Sequence, residues 1–276
     1  MTAMQPIVDM PEIKPRKMKF PFSDVTEQYF YDDNALVSSF MAALSAVFPP
    51  GEMGFIESVR YYRDEITDPE LQERIGGFIG QEGHHSHQHK KINAVLEDVG
   101  WLVSRIEADI SKKINYDKKR LGPKNFLAAT VGMEHITAVM AEYMLTNPHC
   151  LAPLPQSIRD LLNWHAIEEI EHKSVAFDVY QEAVGERGRL RIVFALQTVV
   201  FAAQMTAYQV KLLRWAKRTP NFRDVVGAGK FFFAKKGLIR GMAKNYLDFY
   251  RDDFHPWDQD NRALIDEWKR TSGYVE

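Results

Sequence analysis

Two stretches of the chain combine residue types that could hold metal ions. The first is Glu82-Gly83-His84-His85 with His89 beyond it, and the second runs His165-Ala166-Ile167-Glu168-Glu169-Ile170-Glu171-His172. Each contains Glu-x-x-His, and each has a lone glutamate upstream at a similar distance, Glu52 before the first and Glu134 before the second. On a helix turning about 100° per residue, Glu82, His85 and His89 share one stripe, and so do His165, Glu169 and His172. Glu171 turns away from that stripe, Glu168 is not excluded from it, and Glu142 is a substitute for Glu134 two turns on. The candidate ligands are therefore Glu52, Glu82, His85, Glu134, His165, Glu169 and His172. His89 is either a further ligand or a partner that orients one.

Carboxylates and imidazoles without thiolates suit iron, with manganese or zinc as alternatives, and argue against iron–sulfur or copper–thiolate centres. Four carboxylates roughly cancel the charge of two divalent ions. Such a pair can bind and reduce dioxygen, or can share a bridging hydroxide that attacks an ester or phosphate. Acids facing inward on otherwise apolar helices are costly unless something neutralises them, which favours a metal site over chance alignment.

The order Glu, Glu-x-x-His, Glu, Glu-x-x-His over four helices is the ligand set of ferritin-like dinuclear carboxylate proteins. The expected architecture is therefore all-α, a ferritin-like four-helix bundle with a dinuclear metal site and additional C-terminal helices. Residues 1–32, broken by Pro6, Pro11, Pro15 and Pro21, read as an extended arm with no visible chemistry. Residues 33–276 read as one helical domain, with the metal-binding bundle at 33–185 and basic helices at 186–276.

Within that domain a helix from Asn34 to Ala46 should break at Pro49-Pro50 and restart just before Glu52. Asp68 caps the next helix, with Pro69 in its first turn and Gly100 at its end. Gly76, Gly77, Gly80 and Gly83 inside it suggest close packing against another helix or room beside the site. A lysine-rich polar linker from Ser111 to Pro123 leads to helices at Asn125–Leu145 and Gln156–Ala183. Ile192 to Leu213 is apolar enough to be tested as a membrane span. Gln197, Gln204 and Lys211, recurring every seven residues, favour a packed amphipathic helix instead. A helix from Gly237 to Tyr250, an aromatic turn from Phe254 to Asp258 and a last helix from Asn261 to Arg270 complete the chain.

The formal net charge of −2 hides an asymmetry. From Glu186 to Arg251 fourteen Lys or Arg face three acids, a local net of +11, which leaves −13 elsewhere. The basic, aromatic stretch Lys230 to Arg251 is a solvated face or a docking surface for an acidic partner or an anionic membrane. The single cysteine, Cys150, allows no internal disulfide and suits a reducing compartment. Met1 to Phe22 has no apolar core of signal-peptide length, so a cytoplasmic location is expected, with membrane association as a variant of it. No nucleic-acid partner is expected, and a homo-oligomer is. His84, His87 and His135 read as surface or supporting residues and His255 as structural.

Phe48-Pro-Pro-Gly-Glu52, Gly80-Gln-Glu-Gly-His-His85, Met133-Glu134-His135, His165-x3-Glu169-x2-His172 and Phe254-His-Pro-Trp257 together resemble the bacterial proteins described as predicted metal-dependent hydrolases of the ferritin-like superfamily. That resemblance covers nearly the whole chain beyond the arm and implies a hydrolase. More distantly, His165-x3-Glu169-x2-His172 is similar to the last ligand helix of di-iron arylamine N-oxygenases, which implies that His165 is a ligand and that oxygen is activated. The leading expectation is a di-iron oxidoreductase acting on an organic substrate, hydrophobic or carrier-bound, served by an electron-donor protein. Metal-dependent hydrolysis by a bridging hydroxide is the alternative, and a metal-binding protein without turnover is a third reading.

Overall fold

The fold is known from a computed structural model that describes residues 10–272; residues 1–9, with Pro6 of the arm, and 273–276 lie outside the described residues. Among the described residues every regular element is helical: α1 (Ala35–Tyr62), α2 (Pro69–Asp98), α3 (Val103–Thr146), α4 (Gln156–His172), α5 (Val175–Ala183), α6 (Arg187–Trp215), α7 (Phe222–Phe233), α8 (Leu238–Asp248) and α9 (Arg262–Thr271). Helices α1 to α4 pack on one another as expected for a four-helix bundle, with α6 laid against α1 and α3.

The expected starts and stops hold where local chemistry decides them. Asn34 caps α1 by accepting from the Val37 amide, and Asp68 caps α2 by accepting from Glu70. Gly100 closes α2 at a φ of 104°, where a side chain would be strained.

Three other expectations are overturned. Helix α1 passes through Pro49 and Pro50 without the expected break. Pro49 has no amide to offer the Ser45 carbonyl, and Asn93 of α2 donates to that carbonyl instead, at 3.2 Å. The lysine-rich stretch at 111–123 is helical, and α3 is interrupted only at Gly122, with φ 69° and ψ 167°. Conversely, the helix expected to run unbroken to Ala183 stops at His172 and turns through Lys173 and Ser174. There Lys173 Nζ donates to the Gln259 carbonyl and to Asn261, pinning the turn to the chain before α9. A helix for which no expectation was made, α7, enters the start of the basic stretch and is opened by a capping box of Asn221 and Asp224.

Two of the glycines of α2, Gly77 and Gly80, make room for the arm and not for another helix, while Gly76 and Gly83 face open space. A Cβ on Gly77 would lie 2.4 Å from the Ile13 carbonyl oxygen, and one on Gly80 would lie 2.4 Å from Pro15 Cγ. The arm is thereby threaded along α2, where it delivers Arg16 to the interior at 1% exposure.

Two apolar clusters flank the acid–histidine core. Trp164, packed with Trp101 and Leu212, stands edge-on to His85, while Phe78, packed with Phe194 and Val175, stands edge-on to His172. Each such fully buried side chain contributes roughly 1.5–3 kcal/mol, which offsets the cost of enclosing so many ionisable groups.

Helix α6 reverses its expected amphipathicity. Gln197, Gln204 and Lys211 are half-buried on its inner side, and Lys211 pairs with Asp109 at 2.6 Å. Ile192, Leu196 and Val199 are each more than 60% exposed on its outer side. By length and composition alone this one helix could cross a membrane, yet only 17% of its most apolar window is buried.

Candidate metal centre

Helix geometry brings the sequence-predicted residues together in one buried cluster. Glu52 comes from α1, Glu82 and His85 from α2, Glu134 from α3, and His165, Glu169 and His172 from α4. None of the seven is more than 4% exposed. Glu82 Oε1 lies 3.1 Å from His172 Nε2 and 3.7 Å from His85 Nδ1. Glu169 Oε1 lies 3.6 Å and 3.5 Å from the same two nitrogens. Glu134 Oε2 stands 3.4 Å from His172 Nε2, and Glu52 Oε1 stands 3.9 Å from His165 Nε2. Glu82, Glu134, Glu169 and His172 each present one donor atom within 4.8 Å of the others, and so do Glu52, Glu82 and His85, and His85, His165 and Glu169.

The donor atoms left without hydrogen bonds are the ones a metal would need. Both oxygens of Glu52, Glu82 and Glu134, Oε2 of Glu169, Nδ1 of His85 and Nε2 of His172 are buried without a hydrogen-bond partner. Groups of this kind normally cost several kcal/mol each when buried unpaired. Their convergence on one spot is the condition that divalent cations relieve, so the donor set fits the metal that its residue types suggest.

The opposite ring nitrogens are held by protein. Glu168 Oε2 takes His85 Nε2 at 3.0 Å, which turns Nδ1 inward. Gln81 Oε1 takes His172 Nδ1 at 2.9 Å, which turns Nε2 inward. Glu168 and Glu171 are both clasped by Arg16, whose Nη1 donates to Glu168 at 3.2 Å and to Glu171 at 2.7 Å; Gln81 also donates to Glu171 at 2.8 Å. A single guanidinium from the arm thus anchors the partners of both imidazoles. The arm read from sequence as chemically silent supplies this residue. Glu171 does turn away from the cluster, as expected, but toward Arg16 and not toward solvent.

His89 and His165 form a chain of their own. Ser45 Oγ is 3.0 Å from His89 Nδ1, His89 Nε2 is 2.9 Å from His165 Nδ1, and His165 Nε2 is 2.9 Å from Glu169 Oε1. Both nitrogens of His89 are engaged, whereas His165 points its Nε2 at the carboxylates. Glu142, the substitute for Glu134, lies outside the cluster and accepts from Asn261. His87 is exposed and His84 half-exposed. His135, expected as a surface or supporting residue, is 4% exposed, away from the cluster, in contact with Phe194, Phe249 and Phe254 and 3.1 Å from the Asn245 carbonyl. His255 bonds Asp178 at 2.9 Å, joining the aromatic turn to α5.

The electrostatics record how crowded the cluster is. Burial, with the Glu82 charge beside it, holds Glu52 well above the usual carboxylate range. Burial likewise lifts Glu134 to about 8 against the pull of His172. Burial opposes ionisation of His85, but Glu168 and Glu82 outweigh it and push the imidazole up to about 10. Glu169 goes the other way, far below its normal range, because His172 and His165 overcome its burial. Burial pushes His89 well down, with His165 adding to the effect, so it is a neutral hydrogen-bonding ring.

Two apolar cavities reach this cluster. The larger, about 210 Å³, has Glu52 in its wall; a smaller one, about 30 Å³, touches His165 and Glu169. Phe48, Thr137 and Met140 border both.

The family described as predicted metal-dependent hydrolase matches residues 14–260 of the chain. No curated protein and no solved structure matches it. The hydrolytic alternative therefore fits the comparisons better than the oxygen-activating expectation, which nothing in them supports.

Proposed function

The chain belongs to the predicted metal-dependent hydrolase family, and from that membership we propose that the buried acid–histidine cluster holds two divalent metal ions and hydrolyses an ester- or phosphoester-type bond. The observation that carries this reading is the set of inward donors lacking hydrogen bonds on Glu52, Glu82, Glu134, Glu169, His85 and His172. Glu134, with His172, would serve one ion, and Glu52, with His85 and His165, the other. Glu82 and Glu169, each within reach of both imidazoles, would help to hold both ions. The same donors suit iron, manganese or zinc, and the arrangement is that of the ferritin-like dinuclear proteins. The ions would supply Lewis acidity, polarising the scissile group and acidifying water.

The chain's own residues do the rest. Glu168 and Gln81 fix the tautomers of His85 and His172, and Arg16 holds Glu168 directly and Gln81 through Glu171. His89, neutral and bonded on both nitrogens, orients His165. Glu52 is the one acid of the set that borders the larger cavity. With neither oxygen hydrogen-bonded, it can bind an ion through one and take the proton of the attacking water through the other. Phe48 and Met140 exclude bulk water from that side.

The test is loading with iron, manganese and zinc in turn, counting ions per chain, and assaying a panel of esters and phosphoesters in ¹⁸O-labelled water. Two ions per chain and solvent ¹⁸O in the product are expected, with Glu82→Ala and Glu169→Ala each losing at least one ion. Product oxygen drawn from ¹⁸O₂ would restore the oxygenase reading. Metal uptake with no turnover of any kind would leave a metal-binding protein, and two ions retained in both variants would remove the site assignment.

A further inference from the structure

The larger cavity has a shape that narrows the substrate. Its α3 wall begins at Ile110, and the stretch from Phe126 through Met133 to Met140 is by itself about 21 Å of helix at 1.5 Å per residue. A volume of only about 210 Å³ along that length is a slot and not a chamber. Its walls are mostly apolar side chains of α1, α3, α6 and α8, with Lys113, Asp117, Gln197 and Gln204 also on them, and Met133, Met140 and Met242 bring flexible thioethers that adapt to an irregular guest. Gly51, next in sequence to Glu52, borders the slot, and a Cβ placed on it would meet nothing within 4 Å. A missing side chain keeps the slot open where it reaches the metal cluster.

We infer that this slot binds an unbranched alkyl or acyl chain, so that the bond to be cleaved sits at Glu52 and the apolar tail lies between α3 and α6. The inference rests on the hydrolase reading for the fate of the bound molecule, but not for its binding. The probes are octan-1-ol, decan-1-ol and dodecan-1-ol, titrated calorimetrically into metal-free and metal-loaded protein. One site per chain is expected, with affinity rising roughly fourfold per methylene until the slot is full. Gly51→Leu and Ala129→Phe, which fill the slot from opposite walls, should each weaken decan-1-ol binding at least tenfold while metal content is unchanged. Absence of alkanol binding, or unchanged affinity in both variants, overturns the inference. Alkanol binding by a protein that takes up no metal would instead overturn the hydrolase reading and leave the slot standing.

A separate observation concerns the outer surface. Along α6 the exposed residues Ile192, Leu196, Val199, Ala203 and Val210 fall on one apolar stripe. From Ile192 to Leu247 every charged residue that is fully exposed is a cation, including Lys230, Lys235, Lys236 and Arg240; Asp224 is buried and Asp248 half-buried. The apolar stripe, together with a segment whose fully exposed charges are all cations, complements a bilayer with anionic headgroups. We propose that this face seats on such a surface. Flotation of the full chain with phosphatidylglycerol-containing vesicles is expected, with none on pure phosphatidylcholine and release by high salt. The Leu196→Gln/Val199→Gln pair, and separately Gln at Lys230, Lys235, Lys236 and Arg240, should each weaken binding at least tenfold with unfolding unaffected. No flotation on anionic vesicles overturns the proposal. So does a dimer in sedimentation that the Leu196→Gln/Val199→Gln pair dissociates, which would assign the face to a second copy.

Discussion

Replacing Arg16 by Met would keep the aliphatic stem and remove the guanidinium that joins the arm to both imidazole supports. Arg16 is 1% exposed and the carboxylates of Glu168 and Glu171 are fully buried, so solvent cannot take over from the lost charge. Breaking a buried pair from one side costs about 3–5 kcal/mol, because the surviving charge stays unpaired. Here Glu168 keeps His85 and Glu171 keeps Gln81, so the loss should stay within that range and not double. For a chain of this size each kcal/mol lowers Tm by roughly 2–4 °C, which makes the expected fall on the order of 10 °C. Denaturant unfolding of metal-free protein measures the stability loss directly. Competition with a chelator measures a second effect, a drop in metal affinity of roughly 10- to 100-fold as His85 and His172 lose their anchored partners. Arg16→Lys, which restores charge but not the two-pronged geometry, should fall between. A Met variant within about 1 kcal/mol of the parent and equal in metal affinity would refute both the buried-pair argument and the assignment of Arg16 as the anchor.

Other consequences can be measured on the same protein. In metal-free protein His85 keeps its proton up to about 10 and Glu134 up to about 8. Ion binding must release both, and with them the protons that burial and neighbouring acids hold on Glu52 and His172 above their ordinary ranges, so affinity should rise with pH, by at least about two decades per pH unit below 8 and less steeply above it; a flat profile by calorimetry would contradict the ligand roles. Gly77→Ala, whose Cβ meets the Ile13 carbonyl, should destabilise by about 1–3 kcal/mol. Gly76→Ala, with open space around it, should stabilise by about 0.5–1 kcal/mol; equal effects in thermal melts would mean the arm does not pack on α2. Asn93→Ala strands the Ser45 carbonyl beneath Pro49 and should cost about 1–3 kcal/mol in denaturant unfolding.

The cluster was legible because its signal is local. Glu82 and His85, or Glu169 and His172, are three apart, and helix geometry alone puts such pairs on one stripe. Capping by Asp68 and the stop at Gly100 are local in the same way. The supports were not legible. Arg16 meets Glu168 and Glu171 across more than 150 residues of chain, and no periodicity links an arginine in a proline-rich arm to acids on a distant helix. From Trp164 to Lys173 every residue is buried, so from sequence an acid turned away from the metal donors could not be told from an acid turned to solvent.

The amino-acid sequence by itself determined the helical class, the seven inward donors and the exclusion of thiolate chemistry, since these depend on residue type and on spacing within one or two turns. Tertiary structure alone decided that Pro49 and Pro50 stay helical, because the freed Ser45 carbonyl finds a donor on α2. It also decided which nitrogen of each histidine faces the cluster, through Glu168 and Gln81. The inside and outside of α6 were decided there too: Gln197 and Gln204 face a slot that exists only once α1, α3 and α8 have closed around it, and Ile192, Leu196 and Val199 are left to face out.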